Sequence, residues 1–412
     1  MQNAAQKLHR GTIMSHYLSK YLRMAIMSLF VGFAVTANAA SDDIDREFDV
    51  AEGGTLSIQS DAGSIEVRTW DENRVRLRIR NTRSFEVEVD QNGDDVQVIA
   101  DSRGSLFGLG RSNIGFTVDV PMRYNLDLNT GGGNISVSDI MGHVEVDTSG
   151  GNIDIGMVSG GNVLADTSGG SIEVRGATGN VNVDTSGGRI TIGDVGGNVV
   201  ADTSGGRISI GNVQGDIEAD TSGGNIEVGE SAGRVLLDTS GGTIRAAWAM
   251  GAITAETSGG NIFLAGSDTR VRADTSGGNI QIDASNGPVE ADTSGGNITV
   301  RNATGAVNAD TSGGRIEVEI ISTTGRVDGG IDLDTAGGDI TLRVPANFEA
   351  TISANLEVSR RSRGDYRIYT DFPLTIQEDD GDIIGRGDIN GGGARVSLRT
   401  NNSDIYIESV SN

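Results

Sequence analysis

Acidic residues recur in this chain at a fixed interval. Asp147, Asp166, Asp184, Asp202, Asp220, Asp238, Asp274, Asp292, Asp310 and Asp334, with Glu256 in the same series, each open an Asp-Thr-Ser-Gly-Gly motif or a close variant. The interval is 18 residues nearly throughout, 19 between Asp147 and Asp166, and longer between Asp310 and Asp334. Asn129 opens one more copy, Asn-Thr-Gly-Gly-Gly. Carboxylates stacked about 5 Å apart repel one another, so a cation between them would relieve a real cost, and calcium prefers such oxygen ligands. A purely structural role competes with this. An Asp at the head of a Ser-Gly-Gly turn accepts hydrogen bonds from the turn's own amides, which accounts for its neighbours without an ion. Glu256 keeps the charge whereas Asn129 keeps only the hydrogen bonding, so the series points both ways.

Other side chains offer less. The Thr of each motif falls, by the parity of Val199, Ala201 and Thr203, on the inward side, where it would satisfy turn backbone. Trp248 and Phe263 stand in neighbouring repeats. They read either as a small aromatic platform for sugar or as isolated surface aromatics. Catalysis finds little to build on. His143 is the one histidine after the N-terminal segment, and there is no cysteine for a thiolate or a thiolate-bound metal. Polysaccharide lyases and pectinases work on β-helices, but they need convergent Asp, Arg, Lys or His at a break in the regularity. The one sizeable break inside the repeats, Glu319 to Gly330, carries no such set. The chain reads as non-enzymatic, with a polysaccharide-active enzyme as the rival.

The elements that would position these residues follow from the repeat itself. From Asp184 to Asp202, a Gly-rich turn precedes the alternation Ile190-Thr191-Ile192, a second turn spans Asp194 to Gly197, and Val199-Val200-Ala201 alternates again. Consecutive glycines permit positive φ in the turns, and each apolar alternation fits a short strand with one buried face. One inward column runs Ile172, Ile190, Ile208, Ile226, Ile244 and Ile262; the opposite wall runs Val163, Val181, Val199, Ile217, Val235 and Ile253. A single repeat cannot bury its apolar side, but repeats stacked at about 4.8 Å make a continuous core. These spacings predict an all-β chain: a parallel β-solenoid of tandem 18-residue rungs with β-rich caps at both ends. The hexapeptide helix needs an aliphatic residue every sixth position, and calcium β-rolls need two similar half-repeats. Neither pattern is present.

Composition agrees. The chain has 412 residues, 62 Gly, 4 Pro and 4% aromatics, which suits thin layers of Val, Ile, Leu and Ala better than a core of large rings. A formal net charge of −25 disfavours nucleic acid and anionic membranes as partners. Lys20 and Arg23 precede an apolar run from Met24 to Val35, and Ala37-Asn38-Ala39 follows it. That is the pattern of a cleaved signal peptide over residues 1–39. Export to the periplasm, or to the cell surface or extracellular space, is expected, with no transmembrane segment after cleavage.

The flanks alternate with a different rhythm. Residues 40–128 read as an N-terminal β cap, 129–344 as the repeat array and 345–412 as a C-terminal β cap. Asp-Thr-Ser-Gly-Gly-x-Ile-x-Val repeats preceded by Val120-Pro121 resemble the bacterial candidate-adhesin β-strand-repeat family, as does the ending from Gly391 to Ile407. The resemblance spans essentially all of the chain after residue 39. It implies a β-repeat architecture and an adhesin-like or structural surface-interaction role, with a cell-surface polymer, glycan or protein as partner. It carries no catalytic residues. A calcium-stabilised secreted scaffold is the alternative.

Overall fold

In the computed structural model the described residues are 43–103, 114–322, 324–359, 364–379 and 381–410. The expected signal peptide lies outside them. Each 18-residue repeat supplies one strand to each of two parallel sheets. One, the Ile sheet, contains Ile172–Ala177, Ile190–Val195, Ile208–Ile210 and Ile226–Val228 and continues to Ile340–Pro345. The other, the Thr sheet, contains Val181–Thr185, Val199–Thr203, Ile217–Thr221 and Val235–Thr239 and continues to Ile331–Thr335. Like residues face like in register. Val199 pairs with Ile217, Asp202 with Asp220 and Thr203 with Thr221, and in the Ile sheet Ile208 pairs with Ile226. The inward Ile190, Ile208, Ile226 and Ile244 are fully buried, as are Ala201 and Leu237 across the core. The predicted parallel β-solenoid is the observed architecture.

Two local expectations need correction. The stretch read as a second turn is shorter than expected. In several repeats the Ile strand bends and continues, so that Val195 ends the strand Ile190–Val195 and is buried. Val158, Ala177, Val213 and Ala249 are its buried equivalents, forming a further core column beside the two main walls. The glycines of the Asp-Thr-Ser-Gly-Gly turns do not have positive φ. The second of each pair is required for a different reason: a Cβ at Gly206 would overlap the Gly188 carbonyl one rung below, and one at Gly224 would overlap that of Gly206. Close stacking of backbones, rather than a left-handed conformation, selects glycine here.

Both ends depart from sequential stacking. At the N-terminal end Thr55–Ser60 lies between Asp95–Ser102 and Asn125–Thr130 in the Thr sheet. Ser64–Trp70 likewise lies between Gly115–Pro121 and Ile135–Val137. Antiparallel strands then close both edges: Phe85–Asn92 on the Thr sheet, and Arg74–Arg80 followed by Ile44–Asp49 on the Ile sheet. At the C-terminal end Ala394–Asn401 inserts between Ile331–Thr335 and Ala350–Glu357. Antiparallel Asp382–Ile389 and Thr375–Asp379 cover that sheet, while the Ile sheet finishes on the short strand Ile368–Thr370. Antiparallel, charged or very short edge strands limit edge-to-edge association.

Candidate binding surface and the corners that shape it

Each Thr-sheet strand ends in its Asp-Thr pair, so the Asp points outward and the Thr inward. Thr221 is 1% exposed. Its Oγ1 donates to the Gly206 carbonyl at 2.9 Å and accepts from the Gly224 amide at 3.2 Å. The same two bonds recur at Thr185, Thr203, Thr239, Thr257, Thr275, Thr293 and Thr311. Inward Thr therefore ties each turn to the rung below while closing its own loop.

The acidic column is a true stack. Asp147 pairs in register with Asp166, Asp166 with Asp184, Asp184 with Asp202, and Asp202 with Asp220. Asp220, Asp238, Glu256, Asp274, Asp292, Asp310 and Asp334 continue it. Partial desolvation raises the carboxyl pKa of Asp184, Asp238, Asp292 and Asp310 above the usual value. Neighbouring carboxylates add to the rise at Asp238 (Asp220), Asp292 (Glu290 and Asp274) and Asp310 (Asp334 and Asp332). Arginine relieves the stack in two places. Arg272 reaches Glu290 at 2.5 Å, Asp274 at 3.7 Å and Glu256 at 3.8 Å, and Arg399 reaches Asp334 at 3.1 Å. Among the described residues no three carboxylate or histidine groups converge in the manner of a metal site.

Trp248 and Phe263 do not stack on each other. The Arg245 guanidinium lies 4.9 Å from the Phe263 ring centroid, and the Trp248 ring packs against Gly266, whose lack of a Cβ makes room for it. The stacked aromatic pair among the described residues is Tyr369 with Tyr406, at 5.0 Å between centroids and 7° between planes. Ile368 beside Tyr369, and Ile405 and Ile407 around Tyr406, point inward and give both rings outward parity, but their meeting depends on the non-sequential order of the last rungs.

The spacing analysis missed a second kind of corner. At many strand starts the leading residue offers a side-chain acceptor to the amide one rung above. Before the Thr-sheet strands, Asn125 Oδ1 accepts from His143 at 2.9 Å, and His143 Nδ1 accepts from Asn162 at 3.2 Å. Asn162, Asn180, Asn198 and Asp216 continue the series, which ends on Arg234. His143, the catalytic suspect by residue type, thus stands in for an asparagine. Before the Ile-sheet strands, Asn134, Asn152 and Ser171 form one run, with Asn225 and then Asn261, Asn279 and Asn297 further on. The signal was present as Asn following Gly-Gly and recurring every 18 residues. Acceptor side chains at such corners satisfy amides that no strand partner reaches.

Comparison with known proteins finds one family model. Residues 54–233 match the family model Toastrack DUF4097. No curated protein matches the chain. Among solved structures, a candidate cell adhesion protein from Clostridium sporogenes aligns at 8% identity and a TM-score of 0.15, covering 89% of this chain and all of that one. A candidate lipid binding protein from Parabacteroides distasonis aligns at 15% identity and a TM-score of 0.23, covering 66% of this chain and 97% of that one. The described residues contain no helix long and apolar enough to cross a membrane. Residues 54–233 are thus similar to the Toastrack family model, and the rungs seen there continue in register beyond them.

Proposed function

We propose that this chain is an exported, non-catalytic β-solenoid that works as an adhesin-like or structural surface-interaction module in the periplasm or at the cell surface. The observation that supports it best is the regularity of its outward faces. Strand after strand presents polar side chains in register, as in Glu173, Thr191, Ser209 and Glu227 on the Ile sheet. Such a face presents one outward position per rung at a fixed spacing, filled mostly by polar side chains, which suits a repetitive partner: a surface polymer, a glycan or an elongated protein. In the predicted irregular unit, Glu319 to Gly330, Arg326 pairs with Glu349. The acidic column carries a secondary proposal, that calcium stiffens the Thr-sheet face by relieving its like-charge contacts.

Co-sedimentation of the purified chain with envelope fractions of the producing organism, with and without millimolar calcium, tests both. Saturable pelleting is expected with one fraction. Absence of pelleting in either condition would reject binding to the producer's own envelope, and identical melting in EDTA and calcium would reject the ion.

A further inference from the structure

The acceptor series before the Ile-sheet strands has a gap that is chemically one-sided. Ser171 Oγ accepts the Arg189 amide at 3.2 Å, and the series resumes where Asn225 Oδ1 accepts the Thr243 amide at 2.9 Å. Between them stand Arg189 and Arg207, which have no acceptor atom in their side chains. The amides of Arg207 and Asn225 therefore have no acceptor from the rung below, and none elsewhere among the described residues. The two arginines sit one rung apart, each directly before paired strand residues, Ile190 and Ile208. Neither forms an ion pair among the described residues. Together with the outward hydroxyls of Thr191 and Ser209, and with Asn225, they line a shallow open groove.

At the gap the groove is rich in donors: two amides without a protein acceptor, two guanidinium groups and two hydroxyls that can donate. In neighbouring rungs the corresponding place is filled by an asparagine or serine oxygen. We propose that Arg189 and Arg207 form an oxyanion site, taking a carboxylate or sulfate carried on an acidic polysaccharide in the place of the missing side-chain oxygen. Paired guanidinium groups bind such oxyanions through parallel charge-assisted bonds, and backbone amides complete the cradle. The groove is open along the sheet, so a polymer can continue past it in both directions. Glu173 and Glu227 flank Thr191 and Ser209 in register and confine the positive patch to two rungs. The polymer half of this assignment rests on the surface-interaction function proposed above; the oxyanion half does not.

The test is an amide chemical-shift titration of the purified chain with sodium sulfate, with oligogalacturonate, and with vesicles containing phosphatidylglycerol. The Arg207 and Asn225 resonances are expected to move saturably, with oligogalacturonate at least tenfold tighter than sulfate. The double variant Arg189→Asn/Arg207→Asn should rebuild the acceptor series. It is expected to melt higher than the parent and to bind oligogalacturonate more than tenfold more weakly. Still amides under all three titrants, or unchanged binding in the double variant, would overturn the site. A response to vesicles alone, or to sulfate as tightly as to oligogalacturonate, would overturn the polysaccharide assignment. Because these probes are defined, loss of envelope pelleting with intact oligogalacturonate binding would count against the surface module and not against the site.

Discussion

The two kinds of corner in this solenoid obey different rules. The Thr corner keeps its residue from Thr148 to Thr335, whereas the strand-leading corner changes among Asn, Ser, Thr, His, Asp, Arg, Ala, Pro and Gly. Burial separates them. Thr148, Thr185, Thr221, Thr239 and Thr335 are each 1% exposed, so a lost bond there strands a polar group away from water. The leading corners face solvent, and water can replace a missing side-chain oxygen at small cost. A repeat protein therefore has sequence freedom at its wet corners, and it is there that this chain departs from its own pattern.

The contrast can be broken most severely at the turn glycine. Gly206→Val would force its side chain into the Gly188 carbonyl, and a loss of about 3 kcal/mol is expected from urea unfolding. Thr221→Val keeps the volume but leaves the Gly206 carbonyl and the Gly224 amide unpaired, with an expected loss of about 2 kcal/mol. The equivalent cut at a wet corner, Asn198→Ala, removes the acceptor for the Asp216 amide and should cost about 0.5–1 kcal/mol. Equal losses for Thr221→Val and Asn198→Ala would erase the distinction. Nearest-neighbour coupling in stacked repeats makes local opening by hydrogen exchange the sharper readout for the wet corner.

The smallest effect per group is on pH dependence. Asp184, Asp238, Asp292 and Asp310 have carboxyl pKa values raised on folding, so the folded state holds their protons more tightly than the unfolded chain. Their contribution to stability is fully present below the unfolded-state value and is lost as pH rises through the raised value. Asp216 runs the other way. The Arg234 amide and guanidinium lower its pKa, so its contribution is present above the unfolded-state value and fades as pH falls through the lowered one. Melting temperature should rise on moving from neutral pH toward the ordinary carboxylate range and fall again at lower pH. A steady fall from neutral downward would contradict the stacked-carboxylate assignment.

Much of the repeat was legible because its period is strict. Ile190, Ile208 and Ile226 repeat at one position with alternating parity, which fixes both the strand and its buried side. The inward Thr203 followed from the same parity. The core role of Val195 was not legible, since glycines on both sides make it look like a turn residue. The reason for glycine was also hidden, because a clash with the rung below depends on stacking geometry and not on local φ. At the ends, nothing in the spacing of Thr55–Ser60, Asp95–Ser102 and Asn125–Thr130 reveals that the first lies between the other two. The Tyr369–Tyr406 stack was missed for the same reason. The oxyanion groove could not be seen before the acceptor series was known, since Arg189 and Arg207 look like ordinary surface arginines until the oxygen they displace is located.

The most direct test of a surface-binding rod with a donor-rich groove is paired sedimentation. The parent chain and Arg189→Asn/Arg207→Asn would be incubated separately with the same envelope fraction, after both are shown to melt cooperatively. The parent is predicted to pellet saturably, and the variant to remain in the supernatant. Equal pelleting of the two would contradict the groove as the contact, and no pelleting of either would contradict binding to the producer's own envelope.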